Sequence, residues 1–315
     1  MIIPTLNAGP NFEELLLNLH QQVLKLDEIL IIDSGSSDQT TTLAGSLGAR
    51  VITISPGSFD HGGTRNLAAE YAHGDILIYM TQDALPADKQ TLKILIKSLQ
   101  EEKTVVSYAR QKAAETAKLS EKYLRLDNYP PCSQLKSLQQ VSELGIRAFQ
   151  SSNVCAAYRR AEFEALGRFP APVVCNEDML FATRALFAGY KVAYTAEAEV
   201  WHTHNNSCLE LFRRYFDIAA SLDYEPRIHA IGNAETKGLE FLKKQICYAR
   251  DQKKHHELPR IILESTAKYL GYKTGANHTR IPTKIKKHLA LNRAYWMNIE
   301  QNNKDGKAIQ TEPRA

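Results

Sequence analysis

Long apolar runs are missing from this chain. None approaches the roughly 20 residues that a bilayer-spanning helix needs. A basic leader with an apolar stretch is missing too, because Met1 runs straight into Ile2-Ile3-Pro4, so export is not expected. Cysteine is scarce and scattered: Cys132, Cys155, Cys175, Cys208 and Cys247 are odd in number and form no C-x-x-C pair. That pattern suggests neither a disulfide framework nor a zinc knuckle, and it suits reduced thiols in a cytoplasm. Without a secretory signal, the sequons at Asn205 and Asn277 carry little weight. The phosphate-loop pattern, the G-x-G-x-x-G dinucleotide fingerprint, internal repeats and nucleic-acid-binding motifs are also absent.

What is present is ordinary in bulk and uneven in charge. The 315 residues are 43% hydrophobic and 23% charged, enough for one large domain with an appendage. Residues 1–230 hold 22 Lys and Arg against 27 Asp and Glu, a net −5, whereas residues 231–315 hold 17 against 8, a net +9. Opposite signs suggest an acidic-to-neutral body and a basic appendage.

The stretch Ile76 to Met80 reads as a buried central strand, ending in Thr81-Gln82-Asp83, with Pro86 stopping further pairing. It thus delivers one carboxylate, Asp83, to the carboxyl end of a strand, where open α/β sheets bind ligands. Upstream, Ile2–Asn7, Ile29–Ile32 and Arg50–Ile54 read as strands. Between the first two, Asn11 and Glu14 suggest a capping box, and Phe12, Leu15, Leu16, Leu19 and Val23 recur at helical spacing. A Gly-rich loop at 55–63 precedes a helix expected from Thr64, and another helix is expected from Asp88. Val105–Tyr108 is a fifth strand, and strands alternating with helices imply βαβ units in a mostly parallel sheet.

Residues 109–150 are polar and contain Pro130-Pro131, and they read as an insertion over the site. Order returns with a strand at 151–158, a short helix from Arg159, and a helix opened by Asn176-Glu177-Asp178. Two strands follow, Lys191–Tyr194 and Glu199–Trp201, and then His202-Thr203-His204. Residues 208–300 read as helical with breaks near Pro226, Pro259 and Pro282, and 301–315 as a disordered tail.

Each candidate site residue has a plain structural alternative. Asp33 ends a strand and suits hydrogen bonds from a base or ribose, but Asp33–Asp38 is equally good turn chemistry. Gly62 and Gly63 before a helix start suit an anion, with Arg65 as a forked phosphate contact, or simply a Gly-rich turn. Glu177 and Asp178 either favour a helix N-terminus or include a general base. His202 and His204 continue a strand, so alternation lets only one face the site as a ligand for a Mn-like metal.

Taken in order, Pro4-Thr5-Leu6-Asn7, Ile31–Asp38, Arg65-Asn66, Gln82-Asp83-Ala84 and Glu177-Asp178 resemble the nucleotide-sugar domain of family 2 glycosyltransferases over about residues 2–205. Phe59–Asn66, Thr81–Ala84 and Trp201–His204 look most like the bacterial rhamnosyltransferase branch. The resemblance implies a GT-A, Rossmann-like fold in residues 1–207 with a helical C-terminal region. It implies inverting transfer to a saccharide or lipid-linked saccharide from a nucleotide sugar, dTDP-rhamnose in that branch. By the same resemblance Thr5, Asn7, Asp33, Gly62, Arg65, Gln82 and Asp83 bind the donor, and Asp178 with Glu177 is catalytic. Asp83, with His202 or His204, holds Mg²⁺ or Mn²⁺. Gln82 and Ala84 stand where the family's Asp-x-Asp motif has acids, so the diphosphate must supply most of the charge around the metal.

Arg280, Lys284, Lys286, Lys287 and Arg293, followed by Tyr295-Trp296-Met297, suit an anionic membrane surface through 280–297. A helical subdomain packed on the body or forming a homodimer is the alternative. Two rival functions are a sugar-nucleotide-forming nucleotidyltransferase and a non-catalytic sugar-nucleotide-binding subunit.

Overall fold

In the computed structural model, which describes residues 1–229, 231 and 234–304, the chain divides into two compact units. The first comprises residues 1–115, 125–171 and 177–203, and the second 116–124, 172–176 and 204–315.

The first unit is built on one nine-stranded sheet: β1 (Ile2–Thr5), β2 (Leu30–Asp33), β3 (Arg50–Thr53), β4 (Ile76–Met80), β5 (Leu85–Pro86), β6 (Thr104–Lys112), β7 (Gln134–Lys136), β8 (Cys155–Arg159) and β9 (Lys191–Trp201). Their order is β3-β2-β1-β4-β8-β6-β9-β5, with β7 also on β9. The β3-β2-β1-β4 half is parallel, as the alternating pattern predicts. Beyond β4 the sheet is mixed, because β8 runs antiparallel to both β4 and β6. The 109–150 segment is not a plain loop: it extends β6, supplies β7 and carries a helix at Leu119–Asn128.

Strand alternation builds a core on each face. Ile78 and Met80 join Ile3, Ile31 and the helix residues Phe12, Leu15, Leu16 and Leu19. Tyr79 and Tyr158 instead join Phe163, Phe169 and Phe181 in an aromatic cluster whose neighbouring ring centroids lie 4.9 to 6.2 Å apart. Phe181 belongs to the helix Glu177–Phe187, so this aromatic packing anchors the helix that begins with the two acids.

Several local expectations change. Asn11 makes no side-chain cap, and its helix ends at His20, leaving Val23 exposed. Pro86 does not stop pairing; it sits in the short edge strand β5 opposite Val200, where a missing N–H is tolerated. The two strands expected at 191–201 are one, with a register jump where Ala109 faces Thr195 and Arg110 faces Glu199. The helix expected from Thr64 starts at His61, because Asp60 caps it by accepting from the Gly63 N–H at 2.6 Å.

The second unit is helical among its described residues. Ser207 and Glu210 form a reciprocal cap at the head of helix Cys208–Ser221. Helix Leu258–Gly275 packs against it at Gly271 and Gly275, where an added Cβ would overlap the carbonyl oxygens of Phe212 and Phe216. Tyr295 and Trp296 are buried with Val174, Phe216, Ala220 and Ala290, and Lys286 lies over the Trp296 ring. These aromatics are therefore core, not surface anchors. Residues 301–304 continue helix Arg293–Lys304, and the rest of the expected tail lies outside the described residues. No described helix is long and apolar enough to cross a membrane.

Candidate active site

At the ends of β1 and β2 the sequence builds a polar loop. Asp33 is fully buried, and its carboxylate accepts from the Thr5 hydroxyl at 2.9 Å, the Gly35 and Ser36 N–H groups, and the Ser36 hydroxyl at 2.5 Å. Gly35 has φ +87°, and a side chain there would strike Pro56. Asn7, at φ +46°, accepts from the Ser37 N–H at 2.8 Å. Asp33 and Thr5 thus shape the loop, and it is the exposed Asn7 that faces outward.

The end of β4 explains the departures from the Asp-x-Asp pattern. Gln82 accepts from the Leu6 N–H at 2.8 Å and donates to the Leu6 carbonyl at 3.2 Å, tying the ends of β4 and β1 together as a backbone pair would. Ala84 is buried in the apolar core, where a carboxylate would lose its hydration. Only Asp83 is exposed, and its Oδ2 lies 3.3 Å from Nε2 of the buried His202. A carboxylate oxygen beside an imidazole nitrogen is a donor set that fits a divalent cation, which makes Asp83 and His202 the candidate metal ligands. β9 ends at Trp201 with the His202 N–H still pairing to the Lys112 carbonyl, and residues two apart along a strand share a face, so alternation does not limit the site to one of the two histidines. His204 opens the second unit, where its N–H donates to Glu121 at 3.3 Å.

Glu177 and Asp178 are adjacent yet differently placed. Glu177 is buried, with Arg65 at 3.3 Å, His61 at 3.9 Å and the Asn153 amide at 2.9 Å. Burial alone would raise its carboxyl; Arg65, then His61 and Asn153, outweigh that and hold it below its ordinary range. Arg65 is itself 5% exposed and donates to the His61 carbonyl at 2.9 Å, so its guanidinium is not open to solvent. Gly62 is buried within the same helical turn. Asp178 is half-buried and accepts from the Asn153 N–H at 2.9 Å and its neighbour Met179 N–H at 2.7 Å. Burial, then the adjacent Glu177 charge, push its carboxyl well above the aspartate range.

The β4–β8 ladder brings these groups to one end of the sheet. Cys155 opposes Met80, and the Thr81 N–H donates to the Val154 carbonyl at 3.2 Å. Asp178 hangs on Asn153, two residues before β8, while Asp83 lies three residues after β4. The run Ser151-Ser152-Asn153, which the sequence pattern places in the strand, precedes it and is a site element. Three polar residues just before an apolar strand were the available signal. Gln111, 2.8 Å from His202 Nδ1, had no signal at all.

A carboxylate and histidine beside a strand end, with a second acid of raised pKa at the same end, suit transfer of an activated group. Comparison with known proteins decides which group. The sequence pattern described as "Glycosyl transferase family 2" matches residues 1–167. The chain belongs to this family. The O-antigen chain rhamnosyltransferase RfbN of Salmonella typhimurium is 37% identical to this glycosyltransferase over 95% of it and 96% of RfbN. The O-antigen chain rhamnosyltransferase WbaN of Salmonella anatum is 35% identical over the same shares. Among solved structures, the mannosyltransferase PcManGT from Pyrobaculum calidifontis, in complex with GDP-Man and Mn²⁺, aligns with TM-score 0.54 at 18% identity, covering 98% of this chain and 87% of that one. TarS from S. aureus with UDP-GlcNAc aligns with TM-score 0.53 at 17% identity, covering 89% and 90%. These likenesses establish the GT-A fold of this glycosyltransferase. Family membership sets aside the nucleotidyltransferase and the non-catalytic subunit.

Proposed function

We propose that the chain transfers L-rhamnose from dTDP-rhamnose to a hydroxyl of a bacterial glycan or lipid-linked saccharide, inverting the anomeric centre. The likeness to two rhamnosyltransferases over 95% of the chain carries this reading. Asp178 is the base. It is the accessible member of the acid pair, and its raised pKa matches it to withdrawing a proton from an alcohol as the bond forms. Glu177 stays ionised against Arg65 and positions Asn153, which in turn holds Asp178. Direct attack from the face opposite the leaving group inverts the centre and needs no covalent intermediate.

Asp83 and His202 would hold Mg²⁺ or Mn²⁺. When bound, the cation neutralises charge on the departing diphosphate. The loop set by Asp33 and Thr5 is assigned to the nucleoside end, with Asn7 as its exposed polar contact. Gln82 keeps that loop and Asp83 in fixed register. Contact with an anionic membrane on its cytoplasmic face through Arg280, Lys284, Lys287 and Arg293 is supported by charge, not by Tyr295 and Trp296, which are buried. Flotation with anionic liposomes at moderate salt tests the membrane contact; no binding removes it.

The test of function is incubation with dTDP-rhamnose, a panel of other nucleotide sugars and a lipid-linked saccharide, with Mg²⁺ or Mn²⁺. Extension by one rhamnose with inverted configuration is expected. Transfer of a different sugar, or retention of configuration, overturns the proposal.

A further inference from the structure

His202 does not stand alone behind Asp83. Its N–H donates to the Lys112 carbonyl at 3.0 Å, continuing the β6–β9 pairing by one residue. Its Nδ1 lies 2.8 Å from Oε1 of Gln111, which projects from β6 and is 2% exposed. The orientation of that amide is fixed by what surrounds it. Arg125 points a guanidinium N–H at Oε1, and a guanidinium has donors only. On the other side, Gln111 Nε2 donates to the Tyr129 hydroxyl at 2.6 Å and the Ser152 hydroxyl at 2.7 Å. A flipped amide would set N–H groups against the arginine, so Oε1 must face both Arg125 and His202.

A carbonyl oxygen only accepts. Nδ1 of His202 therefore carries the hydrogen, and in the neutral ring the lone pair sits on Nε2. That lone pair points at a carboxylate oxygen 3.3 Å away. In that neutral ring the two electron-rich atoms attract each other only through a cation between them, whereas the doubly protonated ring would donate Nε2–H to Asp83 directly.

We infer that Gln111, oriented by Arg125, is a positioning residue that locks His202 in the tautomer whose Nε2 donates to a cation held with Asp83. The inference rests on the metal reading above and extends it to residues without direct contact with the site's ligand. A lock of this kind commonly changes metal affinity by about 10–100-fold. Gln111 also reaches the opposite part of the site, because its partner Ser152 adjoins Asn153, whose N–H holds Asp178.

Two measurements test it. The first uses the unaltered chain without metal. Long-range ¹⁵N–¹H correlation spectra, taken where the ring is neutral, are expected to show His202 protonated at Nδ1. Protonation at Nε2 overturns the inference, whatever the metal does. The second is Mn²⁺ titration by electron paramagnetic resonance. Gln111→Leu is expected to weaken Mn²⁺ binding about 10–100-fold. Gln111→Glu, whose carboxylate still accepts from Nδ1 and Arg125, is expected to stay within a few-fold of the parent. Equal loss in both variants would mean that Gln111 serves only packing, and unchanged binding in Gln111→Leu overturns the lock while leaving the metal site standing. Absence of Mn²⁺ binding by the parent chain overturns the metal site together with the donor role of Nε2. Donor-analogue binding and thermal unfolding, followed in parallel, separate these results from misfolding.

Discussion

Two adjacent carboxylates do different work because their neighbours differ. Glu177 is buried against Arg65, and removing its charge leaves a buried guanidinium without the carboxylate that balances it. Glu177→Gln is therefore expected to lower stability by about 3–5 kcal/mol, measured by denaturant unfolding. Asp178 is the titrating member. Its folded-state pKa lies above the unfolded value, so its favourable contribution to stability is full below the unfolded pKa and is lost as pH rises through the folded one. Catalysis runs the other way, since the base must be ionised. The expected outcome is a kcat/KM that climbs with pH through a pKa above the ordinary aspartate range. A thermal midpoint that falls over the same interval, and falls less in Asp178→Asn, is the matching stability result. A flat profile for both quantities would contradict the assignment. At Asp33 residue type alone does not separate two uses. Turn chemistry and ligand chemistry both call for an acid after a strand, and this carboxylate accepts from Thr5, Gly35 and Ser36.

Among the elements, the strands and the sheet edge were the most legible. Runs such as Ile29–Ile32 and Ile76–Met80 declare buried strands by composition, and both end at acids near the site. Strand direction was not legible beyond β4, because an apolar strand of small residues such as Cys155–Tyr158 reads identically in either direction. Helix starts failed where a cap competes with a turn. Asp60 captures the Gly63 N–H and brings the start to His61, so two glycines that looked like an open anion loop lie inside a helix. Likewise, the breaks at Pro226, Pro259 and Pro282 were visible because proline is at home in a first helical turn or just before one. The glycines of helix Leu258–Gly275 were invisible as packing residues, since close approach depends on a distant partner. There, Gly275→Ala is expected to cost about 1–3 kcal/mol or more through overlap with the Phe216 carbonyl, measured by thermal or urea unfolding. An unchanged midpoint would show that the two helices can separate freely.

For the whole molecule, the family was legible because its signature is an ordered set of short motifs, each weak alone. What those motifs left open was why two of the three Asp-x-Asp positions lack acids. The fold answers it locally, with Gln82 bridging the Leu6 backbone and Ala84 filling core. In the proposed metal site Asp83 then carries the carboxylate share. Asp83→Ala is expected to reduce Mn²⁺ affinity by roughly 10-fold or more while leaving the fold intact, as the side chain is exposed. The basic character of residues 231–315 was plain from composition, whereas the burial of Tyr295 and Trp296 depended on tertiary packing and so was not.

The central claim, that Asp178 withdraws the acceptor's proton, is tested most directly by Asp178→Asn with two readouts on one preparation. Calorimetry follows donor binding, and NMR of the anomeric signals follows transfer. Donor affinity within a few-fold of the parent, with transfer reduced by about 10²–10⁴-fold, is the predicted result. Transfer at the parental rate in that variant would contradict it.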